Sequence, residues 1–400
     1  KSTRYKIFND PVLGFMSVPK GNVLRLIDHP YVQRLRRVRQ LGLGYLVFPA
    51  AEHSRFSHAL GALELGQRVL NNLREKDTTI SEREFESTLM CLLLHDVGHG
   101  PLSHTLEHTF IQDFQHEQMS LAVMKKLNRE FEGILDMAIE IFTNQYPKKF
   151  LYQLISSQLD LDRLDYLRRD SFFTGVSEGS VGINRILKTM KVFKGNIVIE
   201  KKGIYALENY IISRRLMYMQ VYNHKTVMSA DALLRKIFQR VSDLIEAGVE
   251  IPHPSEALQY FLTHHPSAKK GIADPLIEQF MQMDDHDVYV SIKAWARCQD
   301  PILADLCNRF LNRDLFRTSF LNSDASPEMI GAVHEQTVAL LKKRNMPHSE
   351  QDARYYYSNN RTLLEAYKYA NESIWILDND EIIEFSKAAD TQNIMALTKP

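Results

Sequence analysis

The stretch Cys91–His108, CLLLHDVGHGPLSHTLEH, decides how the chain is read. An apolar run ends on His95 and Asp96, and His99, His104 and His108 follow close behind. Upstream, Ser81 and Glu84 have capping-box spacing ahead of Phe85, Leu89 and Leu92. This predicts a helix from about residue 82, with those three side chains on one face and Asp96 a turn beyond Leu92. An imidazole beside a carboxylate at a buried helix end can grip one cation. Nitrogen donors suit Fe, Mn, Zn or Ni, and the carboxylate shifts preference toward harder ions. By itself such a pair is more often a core histidine next to a capping carboxylate. Two further segments weigh against that reading. His58 lies in EHSRFSHALGALELG (52–66), whose Gly61 and Gly66 permit close helix packing. Asp162 lies in SSQLDLDRLDYLRRD (156–170), where Asp162, Tyr166 and Asp170 recur every four residues and share a helical face.

Working outward, apolar residues recur at helical spacing through most of the first 245 positions, as in Leu63, Leu70 and Leu73. The segment KVFKGNIVIEKKGIYAL (191–207) interrupts them with β-branched residues and turn signals at Gly195-Asn196 and Lys202-Gly203. It predicts a small β-hairpin inserted between helices. From about Glu250 the chain becomes richer in Pro and His, then resumes helices and ends in short apolar segments such as SIWILD. The expected fold is mainly α: a helical core over 1–249 with a hairpin insertion, and a smaller, mainly helical C-terminal region over 250–400, to which the family resemblance given below adds a part in an oligomer and an effector site.

Of 400 residues, 49 are basic and 49 acidic, so the formal net charge is zero and any anion site must be local. Three cysteines cannot make a disulfide framework or a four-thiolate zinc site, which points to the reducing cytoplasm. No apolar run approaches the ~20 residues that span a bilayer, so no membrane partner is expected. Four arginines in RLRRVRQ (34–40) are the best support for nucleic-acid binding, but they cannot all share one helical face.

The pattern of His58, His95 with Asp96, and Asp162 resembles that of the HD-domain metal-dependent phosphohydrolases. The likeness is closer to the deoxynucleoside triphosphate triphosphohydrolases, among them the vertebrate enzyme that joins a sterile-α-motif domain to an HD domain. The blocks FNDPVLG, RLRRVRQLGLGYLVFPAAEHSRFSHALG, HDVGHGPLSH, FQHEQ, LDRLDYLRRD, VYNHK and RDLFR follow the family's order. No sterile-α-motif domain is present, and the last eighty residues carry no matching block.

This resemblance implies hydrolysis at the α-phosphorus, releasing deoxynucleoside and tripolyphosphate, with one divalent transition metal on His58, His95, Asp96 and Asp162 and Mg on the triphosphate. His104 is the implied proton donor, oriented by Glu107 where the family usually has Asp. His99 and His116 complete the catalytic group, His116 on the α-phosphate. Arg55, Arg163, Arg214 and Lys225 are the implied phosphate ligands. On the long helix after the hairpin, Arg214, Tyr218, Tyr222 and Lys225 fall at offsets 0, 4, 8 and 11, a single stripe suited to a nucleotide. Gln40, Leu41, Tyr166 and Asp170 would select a sugar without a 2′ hydroxyl. Lys6, Ile7, Asp28, Gln33, Arg36, Arg313, Leu315 and Arg317 resemble a guanine-nucleotide effector site, implying GTP or dGTP activation of a homodimer or homotetramer. The competing readings are another HD-type nucleotide phosphohydrolase (5′-nucleotidase or phosphodiesterase) and a non-enzymatic nucleotide or nucleic-acid sensor.

Overall fold

The computed structural model describes residues 5–102, 105–269, 271–321, 324–359 and 373–388. It is mainly helical, with an N-terminal β-hairpin and one small sheet. In the hairpin, β1 (Tyr5–Asp10) pairs antiparallel with β2 (Gly14–Pro19). Asp10 Oδ1 accepts from the backbone N–H of Val12 (3.0 Å) and Leu13 (2.8 Å), and Gly14 takes φ +79°. The Asx-type turn and a left-handed glycine were both present in FNDPVLG.

Helix α1 (Arg55–Glu75) runs through the centre, its Leu63, Leu70 and Leu73 fully buried. Helix α2 (Glu82–Leu94) begins on the expected capping box: Ser81 N–H donates to Glu84 Oε2 (2.8 Å) and Glu84 N–H to Ser81 Oγ (3.2 Å). Its last eight residues are all buried, so the helix ends inside the protein and delivers His95 there. The two glycines of α1 act as expected. A Cβ on Gly66 would lie 2.4 Å from Leu92 Cδ1 of α2. One on Gly61 would lie 2.0 Å from Asp165 Oδ1, on α4 below.

Helix α3 (His116–Glu130) follows the loop after α2, and helix α4 (Leu161–Thr174) packs across α1. The predicted hairpin is β3 (Met190–Phe193) against β4 (Asn196–Glu200), closed by Lys194 and Gly195 at φ +48° and +80°, as a tight two-residue loop requires. It is not an isolated insertion. The SIWILD segment supplies β5 (Trp375–Asp378), which pairs parallel to β4 and antiparallel to β6 (Glu381–Glu384), giving the order β3-β4-β5-β6.

A single helix from 204 to 225 does not form. Helix α5 (Ile204–Met217) runs into a π-helical turn at Tyr218–Tyr222 and stops at Asn223. Helix α6 (Lys225–Glu246) then starts afresh, with the His224 imidazole accepting from Thr226 N–H (3.2 Å). Arg214, Tyr218 and Tyr222 stay neighbours across the π turn, with the guanidinium 6.0 Å from the Tyr218 ring and the two tyrosine rings 5.1 Å apart, but Lys225 lies beyond the break and opens a separate helix. Helix α7 (Pro301–Leu311) packs on α6, and helix α8 (Pro327–Lys343) comes later in the chain. Buried apolar side chains form one continuous cluster from Met16 to Phe385. Among the described residues, no helix is long and apolar enough to cross a membrane.

Candidate functional site

His58, His95, Asp96 and Asp162 come from three elements and converge. His58 sits in the first turn of α1, His95 caps the C-terminus of α2 with Asp96 next to it, and Asp162 is in the first turn of α4. His58 Nε2 lies 3.0 Å and His95 Nε2 3.5 Å from Asp162 Oδ1. Asp96 approaches the same nitrogens at 3.8 Å and 3.5 Å. One ligand atom from each of His58, His95 and Asp162 lies within 4.8 Å of the others.

Each imidazole is fixed from behind. His58 Nδ1–H donates to Asp165 Oδ2 (2.8 Å) and His95 Nδ1–H to the Leu92 carbonyl (2.6 Å). Both rings therefore turn an Nε2 lone pair toward Asp162, and both Nε2 atoms are buried without a hydrogen-bond partner. Tautomers locked by a carboxylate and a carbonyl, with unsatisfied nitrogens facing two carboxylates, fit a divalent cation.

Without a cation the cluster carries protons instead. Burial pushes His58 down, but Asp162 and Asp165 more than reverse it, to about 10. His95 is likewise lifted to about 8, against burial, by Asp96 and Asp162. Burial opposes ionisation of Asp162 and Asp96, yet the surrounding histidines, with Arg55 at Asp96, hold both below the usual carboxylate range. A cation must displace the imidazole protons to bind.

Behind the ligands lies a buried chain that sequence reasoning missed. Asp165 accepts from Arg169 Nε (2.8 Å) and Nη2 (2.9 Å), and Arg169 Nη1 donates to Asp10 Oδ2 (2.7 Å). All three residues are buried. Their i, i+4 spacing on α4 was visible, but that spacing is equally the signature of a solvated surface pair.

His99 and His116 lie ring against ring beside the cluster, tilted by 31° with centroids 3.8 Å apart. Glu107 Oε1 accepts from both the backbone N–H (2.9 Å) and Nδ1–H (2.8 Å) of His116, fixing that ring at the start of α3. Burial lowers the His116 pKa, and the Glu107 hydrogen bond more than restores it. His104 lies outside the described residues, as does the side chain of His108.

A cavity of about 420 Å³ opens onto these groups. It is lined by the charged and imidazole groups Arg55, Asp96, His99, His116 and Asp162, together with Gln40, Leu41, Tyr166, Asp170, Tyr218 and Tyr222. Arg55 Nη1 donates to Asp96 Oδ2 (2.5 Å). Asp170 takes Tyr222 O–H on Oδ2 (2.8 Å) and His53 on Oδ1 (2.7 Å), and the His53 ring stacks on Phe173 at 4.5 Å. His53 is a further residue that sequence reasoning passed over. Gln40 Oε1 is buried without a partner at the cavity wall.

Three expected phosphate ligands do not line this cavity. Arg163 folds back onto Asp160, the N-cap of its own helix, and onto the Ser157 carbonyl (2.6 Å). Arg214 Nη1 donates to Gln158 Oε1 (2.8 Å), its guanidinium 6.0 Å from the Tyr218 ring. Lys225 begins α6, beyond the helix break.

The effector candidates fall into two groups. Lys6 Nζ lies 3.9 Å from Asp28, and Arg36 donates to Gln33 (2.8 Å) while covering the Phe56 ring at 3.7 Å. Ile7 is exposed on β1. Arg313 donates to the Leu46 carbonyl (2.8 Å), with Leu315 half-buried and Arg317 exposed beyond it. Hydrogen bonds and ion pairs of the described residues do not join the two groups within one chain. The remaining arginines of RLRRVRQ are held internally. Arg34 is fully buried on the Met283 and His99 carbonyls (2.7 and 2.9 Å), Arg37 pairs with Asp284 (2.5 Å) and Arg39 with Glu52 (2.6 Å), which disperses the run instead of presenting one basic face.

Three comparisons bear on this site. Over nearly its whole length the chain is similar to the crystal structure of a phosphohydrolase from Bacteroides thetaiotaomicron, at 40% identity and a TM-score of 0.93, covering 99% of this chain and 97% of that one. It is 37% identical over 326 residues to the uncharacterized protein YwfO of Bacillus subtilis, covering 79% of this chain and 72% of that protein. It is 30% identical over 270 residues to the deoxynucleoside triphosphate triphosphohydrolase SAMHD1 homolog of Dictyostelium discoideum, covering 63% of this chain and 52% of that protein. Residues 181–251 match the model of an HD associated region.

Proposed function

The chain belongs to the HD-domain phosphohydrolase family, and from that premise we propose that it is a metal-dependent dNTP triphosphohydrolase. The observation that carries this reading is a pair of tautomer-locked imidazoles facing two carboxylates at the edge of a cavity of about 420 Å³ that is also lined by Tyr166, Asp170, Tyr218 and Tyr222. That volume lies within the range of small-molecule sites, and its two ends differ in chemistry as the two ends of a nucleotide do.

His58, His95, Asp96 and Asp162 would hold the cation. Once bound, it supplies a hydroxide-strength nucleophile at neutral pH and cancels phosphate charge. Arg55, anchored on Asp96, and His116, anchored on Glu107, present positive charge toward the α-phosphate. His104 protonates the departing 5′ oxygen. Arg163, Arg214 and Lys225 are outer contacts for a triphosphate that extends past the cavity, with Mg accompanying it. At the other end, Asp170 retains a free lone pair on each oxygen and Gln40 offers an unpaired acceptor, so the sugar 3′ hydroxyl can donate to either. The Tyr166 ring, 6.1 Å from that of Tyr222, stands where a ribose 2′ hydroxyl would be buried without a partner. We further assign Lys6, Ile7, Asp28, Gln33, Arg36, Arg313, Leu315 and Arg317 to a guanine-nucleotide effector site completed between subunits of a homo-oligomer, a reading supported by the lack of any hydrogen bond or ion pair among the described residues joining the two groups within one chain.

Incubating the protein with each dNTP, NTP and dNMP plus Mn²⁺ or Mg²⁺, with and without GTP, and separating the products by chromatography tests the reading. Deoxynucleoside with tripolyphosphate supports it. Orthophosphate from dNMP identifies a 5′-nucleotidase instead, and binding without turnover identifies a sensor.

A further inference from the structure

Helix α8 (Pro327–Lys343) is held to the protein along one edge only. Leu341 is its one fully buried side chain among the described residues, and His334 Nδ1 reaches the Tyr357 hydroxyl at 3.2 Å. The opposite edge exposes Met329 (48%), Val333 (46%) and Leu340 (59%), with Ala332, Gln336 and Ala339 exposed between them. These positions recur at intervals of three and four, which winds one exposed seam along the helix, apolar except for Gln336 at its centre.

The seam is symmetric about Gln336. Turning the helix end for end about Gln336 maps Ala332 and Val333 onto Leu340 and Ala339, while Met329 falls on Lys343, just beyond the seam. In that arrangement Ala332 meets Leu340, Val333 meets Ala339, and Met329 meets the aliphatic stem of Lys343. Small faces large in the inner layers, as interdigitation needs. Glu328 falls against Arg344. The helix carries Glu328 and Glu335 in its first half and Lys342 and Lys343 at its end, with Arg344 as its C-cap, and none of these five has an ion-pair partner among the described residues. Acid at the start and base at the end also suit the helix's own dipole. The apolar seam has no such explanation.

We propose that α8 pairs with α8 of a second copy of this chain, antiparallel about a two-fold axis at Gln336. A two-fold contact requires a surface complementary to itself, which this seam provides. A parallel pair would instead set Glu328 against Glu328 and Lys343 against Lys343.

Single-cysteine additions to the full chain distinguish these geometries: Gln336→Cys, Met329→Cys and Lys343→Cys, each treated with a mild oxidant or a short bismaleimide. The parent protein, with Cys91, Cys298 and Cys307, sets the background. All three positions are exposed, and thermal melts confirm that the variants fold. Gln336→Cys is expected to cross-link to itself, whereas Met329→Cys and Lys343→Cys cross-link efficiently only when mixed. Absence of a Gln336→Cys dimer in a folded protein overturns the pairing and leaves the seam to a different partner. Self-linking by Met329→Cys as efficient as that by Gln336→Cys also overturns it, because only a parallel or random contact behaves so.

Discussion

Replacing Gly61 with alanine should disable the metal site without touching a ligand. The new Cβ would lie 2.0 Å from Asp165 Oδ1 and 2.4 Å from Arg169 Nη2, so both must retreat by about 1 Å or more to reach ordinary contact. Neither is free to do so. Asp165 holds His58 Nδ1 at 2.8 Å and Arg169 holds Asp10 at 2.7 Å, all of them buried. Overpacking of this kind costs about 1–3 kcal/mol of stability. Losing the carboxylate behind a ligating imidazole typically lowers metal affinity ~10- to 100-fold. The assay pairs metal affinity, by chelator competition, with thermal unfolding of the metal-free protein. Gly331→Ala is the control: its Cβ meets open space on α8, and removing a helical glycine should stabilise by ~0.5–1 kcal/mol. If Gly61→Ala binds metal as tightly as the parent and melts at the same temperature, the chain from His58 through Asp165 and Arg169 to Asp10 does not support the site.

Metal affinity should also fall steeply with acidification. With His95 near 8 and His58 near 10 in the metal-free state, both imidazoles are protonated below about pH 8. Each further unit of acidification should then weaken binding by up to ~100-fold, two protons being displaced per cation. Those raised values favour the metal-free fold at low pH and are lost as a stabilising influence when pH rises through them; a flat affinity profile from pH 6 to 8 would contradict the assignment. At the capping box, Glu84 has its pKa pushed up by burial but pulled lower overall by Lys148, the Ser81 N–H and Tyr146. Glu84→Gln should therefore cost ~1–2 kcal/mol at pH 7, with the gap to the parent closing as the pH falls through the lowered Glu84 pKa and the parent's carboxylate protonates. At the sugar end, His53→Leu should blunt discrimination between dNTPs and their 3′-deoxy analogues, and His53→Gln, which keeps a donor near Asp170, should restore part of it. Tyr166→Ala should lower the ratio of dNTP to NTP turnover about tenfold, the value of one buried unpaired hydroxyl.

What was legible in the sequence follows from how local the signal was. The start of α2 was readable because Ser81 and Glu84 satisfy each other across one turn, and the β3–β4 hairpin because Gly195 marks its turn. The meeting of His58, His95, Asp96 and Asp162 was readable only through the resemblance, since no spacing rule links positions so far apart. Partners set by tertiary burial stayed hidden. Asp165 and Arg169 look like a surface pair until α1 covers them, and His53 has no local motif at all. The stripe held from Arg214 through Tyr222 but not to Lys225, because the helix break at Asn223 leaves no compositional mark and a periodicity that assumes one continuous helix runs straight through it. Strand β5 needed its partner β4, 175 residues earlier in the chain.

The most direct test of the account is a single-turnover reaction with a dNTP in ¹⁸O-labelled water, with products analysed by mass spectrometry. Attack by water on the α-phosphorus with departure of the 5′ oxygen predicts one labelled oxygen in the tripolyphosphate and none in the deoxynucleoside. The reaction should require the divalent cation and be lost in His95→Ala and Asp162→Ala. Label in orthophosphate or pyrophosphate, or in the deoxynucleoside, or full turnover by either variant, would contradict a triphosphohydrolase built on these four residues.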